Sequence, residues 1–387
     1  MPLHLDILDV GQGDGMVVWL PTGKVMMVDL GSTKRKGLVT QDSFKYFREN
    51  TAFKNDGQEI EWLVLTHGDQ DHYNMITKFL DTFKPSIKNV LHGGLEEDYR
   101  GLIGRLRGRQ NPNGKATTIQ TGAHRSFYPL ASYFDLGAEV MVMASGVEAA
   151  GGDHAYAKNT RSTVLRIVYQ NIGLLLTGDA TRDTEGQMLG RMMKEGKLDS
   201  LRAQVLKVGH HGSHRTSNHA AFIAAVRPNY AFISSDRSGS LDPDPEQKAT
   251  GHRLPQALTI SLLQKYSKFL QQDCAAHSYV MSYQQSDYEE YNANPDIRGQ
   301  TLDLPQSDEK LAWIQVNTTQ GIFSTLAIMG LSDDPSDEGA KDIGVQYRVS
   351  ISDQGDFEIL STFDFKEWYK LAGQAKNPVT QPTGGTQ

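Results

Sequence analysis

The stretch His67-Gly68-Asp69-Gln70-Asp71-His72 places two imidazoles and two carboxylates in six consecutive residues. It follows an apolar run, residues 61–66, that predicts a buried strand, and it precedes residues 73–80, which predict the start of a helix. Histidine nitrogens and carboxylate oxygens together suit a borderline or moderately hard divalent ion. The alternative is a polar surface loop with spare histidines, but the strand-then-helix context favours a metal-binding loop.

Three further predicted strands also end in residues that can bind a metal ion. One apolar run ends in Asp179, and a second leads into His210 and His211. A third ends in Asp29-Leu30-Gly31. Each ending alone is a common turn, but four strands that all end in metal-type residues indicate a single site built at strand ends.

These strand ends and several neighbouring motifs together resemble a known family. They resemble the metallo-β-lactamase fold, and within it the soluble hydrolase domain of the ComEC-type DNA-internalisation (competence) proteins. The resemblance covers residues 1 to about 265, and the motifs occur in the family's order. The stretches that carry it are Leu8-Asp9-Val10-Gly11-Gln12-Gly13-Asp14, Asp29-Leu30-Gly31, Thr66-His67-Gly68-Asp69-Gln70-Asp71-His72, Asn159-Thr160-Arg161-Ser162, Thr177-Gly178-Asp179 and Lys207-Val208-Gly209-His210-His211-Gly212-Ser213.

The resemblance implies a fold class, cofactors and a ligand set. The fold is α/β, a four-layer αββα metallo-β-lactamase sandwich with the site along one edge of its two sheets. The cofactors are two divalent metal ions, zinc or manganese, that activate a water for in-line attack. The implied ligands are His67, Asp69, Asp71, His72, Asp179 and either His210 or His211. The predicted catalytic residues are Asp71, His72, Asp179 and Lys207.

The resemblance also implies a substrate-binding set and shows two departures from the family pattern. The predicted substrate-binding residues are Asp14, Asn159, Arg161, Ser213, His214 and His252. Asn159 stands where many members of the wider fold have a third histidine ligand, which weakens one half of a two-metal site. His154 is a candidate substitute. His252 is separated from Pro255 by two residues, whereas the family has a continuous Gly-His-Pro stretch.

The charge of the predicted site favours phosphoesters as substrates. Asp69 replaces the usual histidine, which makes the site harder and more anionic and shifts it from strict zinc towards manganese or zinc. Lys207, Arg161, His214 and Arg215 lie near the motifs and could neutralise a phosphate, although Lys207 also fits a plain surface lysine at a strand end. We therefore predict a phosphodiesterase, most specifically a nuclease that acts on DNA or RNA through a metal-bound hydroxide.

Two other functions compete with this prediction. The first is hydrolysis of a small phosphoester or a cyclic nucleotide. The second is a partner-gated effector subunit of a multiprotein system, for example one of phage defence, in which the C-terminal region binds a protein partner. One fold hosts many chemistries, so the motifs are less specific for the substrate than for the fold.

Composition restricts where and how the protein acts. The formal net charge of −7 over 387 residues excludes a global basic surface for nucleic acid, while a confined basic groove stays compatible with it. Arginines cluster at positions 100, 105, 107 and 109, a pattern that is usually a solvated face and otherwise could hold the phosphates of a substrate. Cys274 is the single cysteine, so no internal disulfide can form, which fits a reducing cytoplasm. Neither a signal peptide nor a long apolar run is recognised, so we expect a cytoplasmic protein that does not contact a membrane.

The recognisable motifs all lie in the first two thirds of the chain. We predict a hydrolase domain over residues 1–270, followed by a β-rich extension or accessory module over residues 271–374. That extension could add strands to a sheet edge or form a small module of its own. Residues 375–387 predict a disordered tail.

Overall fold

The structure is a computed structural model that describes residues 1–33, 44–45, 47–49, 53, 55–109, 111, 114–122, 127–235, 254–267, 278–284, 311–317, 321–324, 326–329, 341–363 and 367–373. Within these residues the strands are, in chain order, β1 (Leu3–Ile7), β2 (Gly15–Trp19), β3 (Val25–Leu30), β4 (Glu59–Leu65), β5 (Ser86–His92), β6 (Thr118–Thr121), β7 (Tyr128–Pro129), β8 (Glu139–Ala144), β9 (Val164–Tyr169), β10 (Ile172–Leu176), β11 (Val205–Lys207), β12 (Tyr230–Ile233), β13 (Ser278–Gln284), β14 (Leu311–Asn317), β15 (Ile322–Ser324), β16 (Leu326–Met329), β17 (Lys341–Ile351), β18 (Phe357–Phe363) and β19 (Glu367–Gly373).

The helices lie mostly between strands. They are α1 (Gln70–Tyr73), α2 (Ile76–Phe83), α3 (Leu102–Gly108), α4 (Tyr133–Leu136), α5 (His154–Thr160), α6 (Arg182–Lys194), α7 (Ala220–Val226) and α8 (Ala257–Tyr266). Short 3₁₀ turns occur at Glu96–Tyr99, Leu198–Leu201 and Gly209–Gly212. Among the helices of the described ranges, none combines the length and the apolar content that a membrane crossing requires.

Two large sheets form the centre of the fold. The first has ten strands in the order β19-β18-β17-β1-β2-β3-β4-β5-β6, with β16 paired to β17. The second has seven strands in the order β15-β12-β11-β10-β9-β8-β7, and β13 pairs only with β14 among the described strands. The predicted α/β sandwich of two sheets flanked by helices is therefore confirmed.

Strand β4 shows how the sequence pattern creates two cores. Trp62 and Val64 face the second sheet and join the central core, which contains side chains from both sheets. Leu63 and Leu65 point the other way and pack with α2 residues such as Phe79. This alternation is the period of two that a strand imposes on its side chains.

The outer face of the second sheet is covered in the same way. Met188 of α6, Phe222 of α7 and Leu263 of α8 pack with the alternate residues of the sheet, including Leu175 and Leu206. Burying one such side chain contributes about 1.5–3 kcal/mol relative to leaving it exposed. The order of layers is thus helix, sheet, sheet, helix, as the sequence predicts.

The region after residue 270 contributes strands to both large sheets. β17 pairs antiparallel with β1, with Leu3 opposite Ile351, and β15 pairs parallel with β12. Tyr347 and Val349 of β17 are buried in the central core. The predicted β-rich character is confirmed, and of the two arrangements that we expected, the described strands show addition to the sheets. The domain boundary at residue 270 stays a prediction, and the predicted tail over 375–387 lies outside the described residues.

The strand directions bring four strand ends to one edge. β3 and β4 run parallel in the first sheet, and β10 and β11 run parallel in the second. The residues that follow their carboxyl ends therefore meet at a common edge, where ligands bind in open α/β sheets.

Candidate metal centre

The loop after β4 is held in place by the neighbouring strand β3. Asp29, at the end of β3, accepts hydrogen bonds from the Thr66 backbone N–H at 2.7 Å and from its hydroxyl at 2.6 Å. Gly31 allows the Asp71 backbone to pass close by, because a Cβ at this position would lie 2.4 Å from the Asp71 carbonyl carbon. These contacts with β3 hold the backbone between β4 and α1 in one position.

The described metal-type side chains converge on Asp179, which follows β10. Its Oδ1 lies 3.3 Å from His72 Nε2, and its Oδ2 lies 3.8 Å from His67 Nε2. The same Oδ2 lies 3.7 Å from the Nε2 atoms of both His210 and His211. Gly178 before it has φ of +52°, a left-handed conformation that favours glycine and turns Asp179 towards the other sheet.

We divide the cluster into two groups around Asp179. The inner group is Asp71, His72 and His211. The outer group is His67, Asp69 and His210. In the inner group, His211 Nε2 lies 3.4 Å from Asp71 Oδ2, and ligand atoms of all three residues lie within 4.8 Å of one another.

The turn that carries His210 and His211 has an unusual backbone. Both residues have φ in the left-handed region, 47° and 50°, which non-glycine residues rarely adopt consecutively. Asn218 stabilises this turn, because its amide donates to the carbonyls of Gly209 and Ser213 at 2.8 Å each. Such strained conformations are held where function needs a side chain in one direction.

The hydrogen bonds of the two histidines show which nitrogen each presents to the site. His211 Nδ1 lies 2.9 Å from the Ser234 carbonyl, which can only accept, so Nδ1 carries the proton and Nε2 presents a lone pair. His210 Nδ1 lies 2.6 Å from the Thr216 hydroxyl. Both rings therefore direct Nε2 at Asp179, and His211, buried at 1% side-chain exposure, belongs to the inner group.

Asp29 orients His72 in a way that the sequence analysis did not predict. Its Oδ2 lies 2.8 Å from His72 Nδ1, which fixes Nε2 towards Asp179. A carboxylate behind a ligating histidine is a recurrent feature of metal sites. The Asp-x-Gly strand end pointed to Asp29 as a metal-type residue, but only the tertiary structure shows that it acts through His72.

Lys207 and Asp14 do not have the substrate-facing positions that we predicted. Both side chains are fully buried, and Lys207 Nζ lies 2.7 Å from Asp14 Oδ1 and donates to the Val208 carbonyl at 3.2 Å. Asp14 in turn lies 4.0 Å from the Nδ1 atoms of His72 and His211. The buried pair thus packs against the inner group. Lys207 is buried because the strand end that carries it is covered by the other sheet.

The charges of the cluster shift its pKa values. Burial lowers the pKa of His72, but the carboxylates of Asp179 and Asp29 outweigh burial and raise that pKa well above its ordinary value. Burial and the neighbouring His72 lower the pKa of His67 to about 4. Burial raises the pKa of Asp179, but the surrounding histidines outweigh it and lower that pKa well below its usual range. The shifts favour the charged forms of His72 and Asp179, whereas burial and the neighbouring His72 favour the neutral form of His67.

The buried ligand atoms fit a divalent ion. The Nε2 atoms of His67, His72 and His211 and the Oδ1 atom of Asp179 are all buried and have no hydrogen-bond partner among the described residues. A buried polar group without a partner costs about 1–3 kcal/mol, so four of them at one point need a common partner. A zinc or manganese ion accepts this mixture of imidazole nitrogen and carboxylate oxygen.

The remaining predicted substrate residues belong to neither group. Asn159 is 4% exposed, and Ser213 and His214 are 6% and 3% exposed, so these three are largely covered. Arg161 pairs with Glu148 at 3.2 Å. Their roles stay predictions, and His252 lies outside the described residues.

The outer group has one partner that the sequence analysis missed. Lys158 of α5 forms an ion pair with Asp69 Oδ1, and the other carboxylate oxygen of Asp69 lies 3.8 Å from His67 Nε2. The histidine that we considered as a substitute ligand, His154, is 77% exposed and lies 3.8 Å from Asp98 Oδ1. In the sequence, the one indication that Lys158 lies near the site was its position directly before Asn159, which belongs to a family motif.

A cavity of about 310 Å³ lies beside the metal loop. Gln70 forms part of its wall. With its amide flipped, the side-chain oxygen of Gln70 accepts hydrogen bonds from the guanidinium group of Arg100. Arg105 also lines the cavity and pairs with Asp81 at 2.5 Å. The residues that line it are Gln70, Tyr73, Asn74, Thr77, Tyr99, Arg100, Gly101, Leu102 and Arg105, which include no carboxylate.

Comparison with known proteins gives the family. Residues 8–235, more than half of the chain, match the model of the Metallo-beta-lactamase superfamily. The chain belongs to this superfamily. Membership accounts for the two sheets and for a metal-binding cluster at their shared edge, and it supports a hydrolase.

The curated relatives of this superfamily member include Competence protein ComA of Neisseria gonorrhoeae, which is 44% identical over 77 residues, 20% of this chain and 10% of that protein. Recombination protein 2 of Haemophilus influenzae is 28% identical over 234 residues, which are 60% of this chain and 24% of that protein. ComE operon protein 3 of Bacillus subtilis is 25% identical over 278 residues, 68% of this chain and 31% of that protein. The chain thus matches less than a third of the length of each relative. The resemblance to ComEC-type proteins is confirmed.

Among solved structures, the fold is similar to that of Igni18, a metallo hydrolase from Ignicoccus hospitalis. The TM-score is 0.35 at 13% identity, and the match covers 60% of this chain and 82% of that one.

Proposed function

We propose that this protein is a metal-dependent phosphodiesterase, most specifically a nuclease that cleaves DNA or RNA. The observation that carries the proposal is the donor set: three aspartates, Asp69, Asp71 and Asp179, share one cluster with four histidines. Such an anionic site favours a substrate whose own oxygens are negative and which needs divalent ions to approach.

The residues that would hold the ions are those of the inner and outer groups with Asp179 between them. Zinc or manganese, when bound there, supplies Lewis-acid activation of water and neutralises the phosphate. Asp29 and the Ser234 carbonyl fix the tautomers of His72 and His211, so their Nε2 atoms stay directed at Asp179. Because the two rings are already fixed, they need little movement when a metal ion and a substrate bind.

The surroundings of the metal loop support a nucleic-acid substrate. Arg100 and Arg105 line the same cavity as Gln70, the residue between Asp69 and Asp71. Guanidinium groups bind phosphates bidentately. A net charge of −7 is compatible with such a confined basic path. The relatives' names, which refer to recombination and competence, agree with this substrate class.

We also propose a location and a partner. The single cysteine supports a cytoplasmic protein. A protein partner that contacts the region after residue 270 remains a proposal from the sequence.

A substrate panel tests the proposal. The full chain, loaded with manganese or with zinc, is assayed on single- and double-stranded DNA, RNA, a cyclic nucleotide, bis-(nitrophenyl) phosphate, a thioester and a β-lactam. We expect cleavage of nucleic acid and of the bis-ester, and no cleavage by Asp71→Asn. Cleavage of the lactam or thioester alone would refute the proposal, and cleavage of the cyclic nucleotide alone would replace the nuclease with a small-phosphoester hydrolase.

A further inference from the structure

The ion pair between Lys158 and Asp69 makes the two groups unequal. Asp69 is the only residue of either group that forms an ion pair with a lysine or arginine among the described contacts. Both side chains are partly buried, at 19% exposure for Lys158 and 23% for Asp69, so the pair lies at the mouth of the cluster and not in open solvent. An ion pair at such a position is less screened than one on the surface.

The ligand atoms show the same inequality. The inner group forms a set of three mutually close ligands, and His67, His72 and Asp179 form another. Asp69 belongs to neither set, and among the described contacts its side-chain oxygens lie next to Lys158 and, at 3.8 Å, next to His67. A divalent ion in the outer group would have His67, His210 and Asp179 as donors, but the fourth donor, Asp69, is already paired with Lys158.

The charge of Lys158 adds to this difference. A divalent ion bound to Asp69 would lie next to the ammonium group, and two positive charges at contact distance repel. Asn159, the next residue, brings no imidazole, and His154 is largely exposed. Helix α5 thus places a positive charge next to Asp69. A histidine ligand in place of Asn159 would instead favour a metal ion there.

We propose that Lys158 takes the place of much of the second ion's charge, so that the chain binds one divalent ion tightly in the inner group with Asp179. A second ion binds in the outer group at least about tenfold more weakly. The proposal rests on the metal-dependent hydrolase proposed above, but its main readout is metal binding, which needs no substrate.

Metal titration of the full chain tests it. Metal-free protein is titrated with Mn²⁺ while free Mn²⁺ is followed by electron paramagnetic resonance, and Zn²⁺ content is measured after dialysis. We expect one tight ion in the wild type and a second that is at least about tenfold weaker. Lys158→Gln should tighten the second ion about tenfold or more without changing the first, whereas Lys158→Arg should resemble the wild type.

Two controls separate the charge effect from a folding defect. Lys194→Gln removes an exposed lysine from α6 and should leave both affinities unchanged. Circular dichroism and the unchanged tight ion report that Lys158→Gln is folded, and the wild-type stoichiometry remains decisive if it is not. Two ions of equal affinity in the wild type, or an unchanged or weaker second ion in Lys158→Gln, would overturn the proposal. Failure of the substrate panel with these metal affinities intact would refute the substrate alone.

Discussion

The inner and outer groups have similar ligands but different surroundings. His72 and His211 of the inner group are almost fully buried, and Asp29 and the Ser234 carbonyl hold their rings. In the outer group, His67 is buried, but His210 and Asp69 are 20% and 23% exposed and Asp69 pairs with a lysine, whereas the most exposed inner residue, Asp71, is 17% exposed and pairs with His211. The difference teaches that ligand type alone does not define a metal position. Burial, supporting hydrogen bonds and neighbouring charge decide which position is preorganised.

The largest expected effect comes from removing the strands that follow residue 270. We expect a chain truncated after residue 270 to lose cooperative unfolding, because Tyr347, Val349 and Phe323 complete the central core. Ile351→Ala in the full chain should cost about 2–5 kcal/mol, since Ile351 is fully buried. Urea unfolding followed by circular dichroism measures both.

Leu198→Ala is the matched control, because Leu198 is 39% exposed and its loss should change the free energy of unfolding little. If the truncated chain unfolds cooperatively and binds one metal ion, residues 1–270 are an independent domain after all.

The second test compares one carboxylate from each group. Asp71→Asn should lose the tight ion and lower hydrolysis by more than about 100-fold, beyond the loss typical of outer-shell residues. Asp69→Asn should keep the tight ion, because Asp69 lies in neither set of close ligands. Metal analysis after dialysis and the bis-ester assay give the two readouts. Equal metal loss in both variants would remove the distinction between the groups.

The third test compares the residues that orient the histidines. Asp29→Asn should lower the affinity for the tight ion by about 10–100-fold, because His72 loses its carboxylate partner. Thr216→Ala, which removes the hydroxyl next to His210, should leave that affinity within about threefold, since His210 belongs to the outer group. Isothermal titration with Mn²⁺ measures both affinities. A larger effect from Thr216→Ala would reverse the assignment of inner and outer.

The smallest expected effect concerns the turn that carries His210 and His211. Glu185 accepts hydrogen bonds from the backbone N–H groups of Asn218 and His219, at 2.7 and 2.9 Å, and Asn218 holds the turn. Burial raises the pKa of Glu185 from 4.5 to about 8. The folded state therefore binds more protons than the unfolded state between these values, so stability should fall as pH rises from 4.5 to about 8.

Urea unfolding of the wild type and Glu185→Gln across this range measures the effect. The glutamine cannot ionise, so we expect the stability advantage of the wild type over the variant to shrink as pH rises. Parallel pH profiles for the two proteins would show that Glu185 does not titrate in this range.

Several metal-type residues could be located from the sequence because they directly follow strand ends. His67, Asp71, His72 and Asp179 come within a few residues of parallel strands, and the structure brings them together. Their role as ligands stays a prediction until metal is measured.

Three features could not be predicted from local sequence. Lys207 ends a strand, where we expected exposure to substrate, but the opposite sheet covers it and Asp14 neutralises it. Lys158 reaches Asp69 from a helix 89 residues away, a contact that only tertiary packing defines. The pairing of β17 with β1 is likewise set by which sheet edge is left free when the sandwich forms.

That pairing has a consequence for how the protein is made. Asp6 on β1 and Arg348 on β17 form a bidentate ion pair across 342 residues of chain. During synthesis, every residue of the inner group emerges from the ribosome before β17, so the edge of β1 stays without this partner strand until β17 has been made. Contacts of such sequence separation form late and slowly. The first sheet is therefore completed only after the residues of the metal cluster are already available.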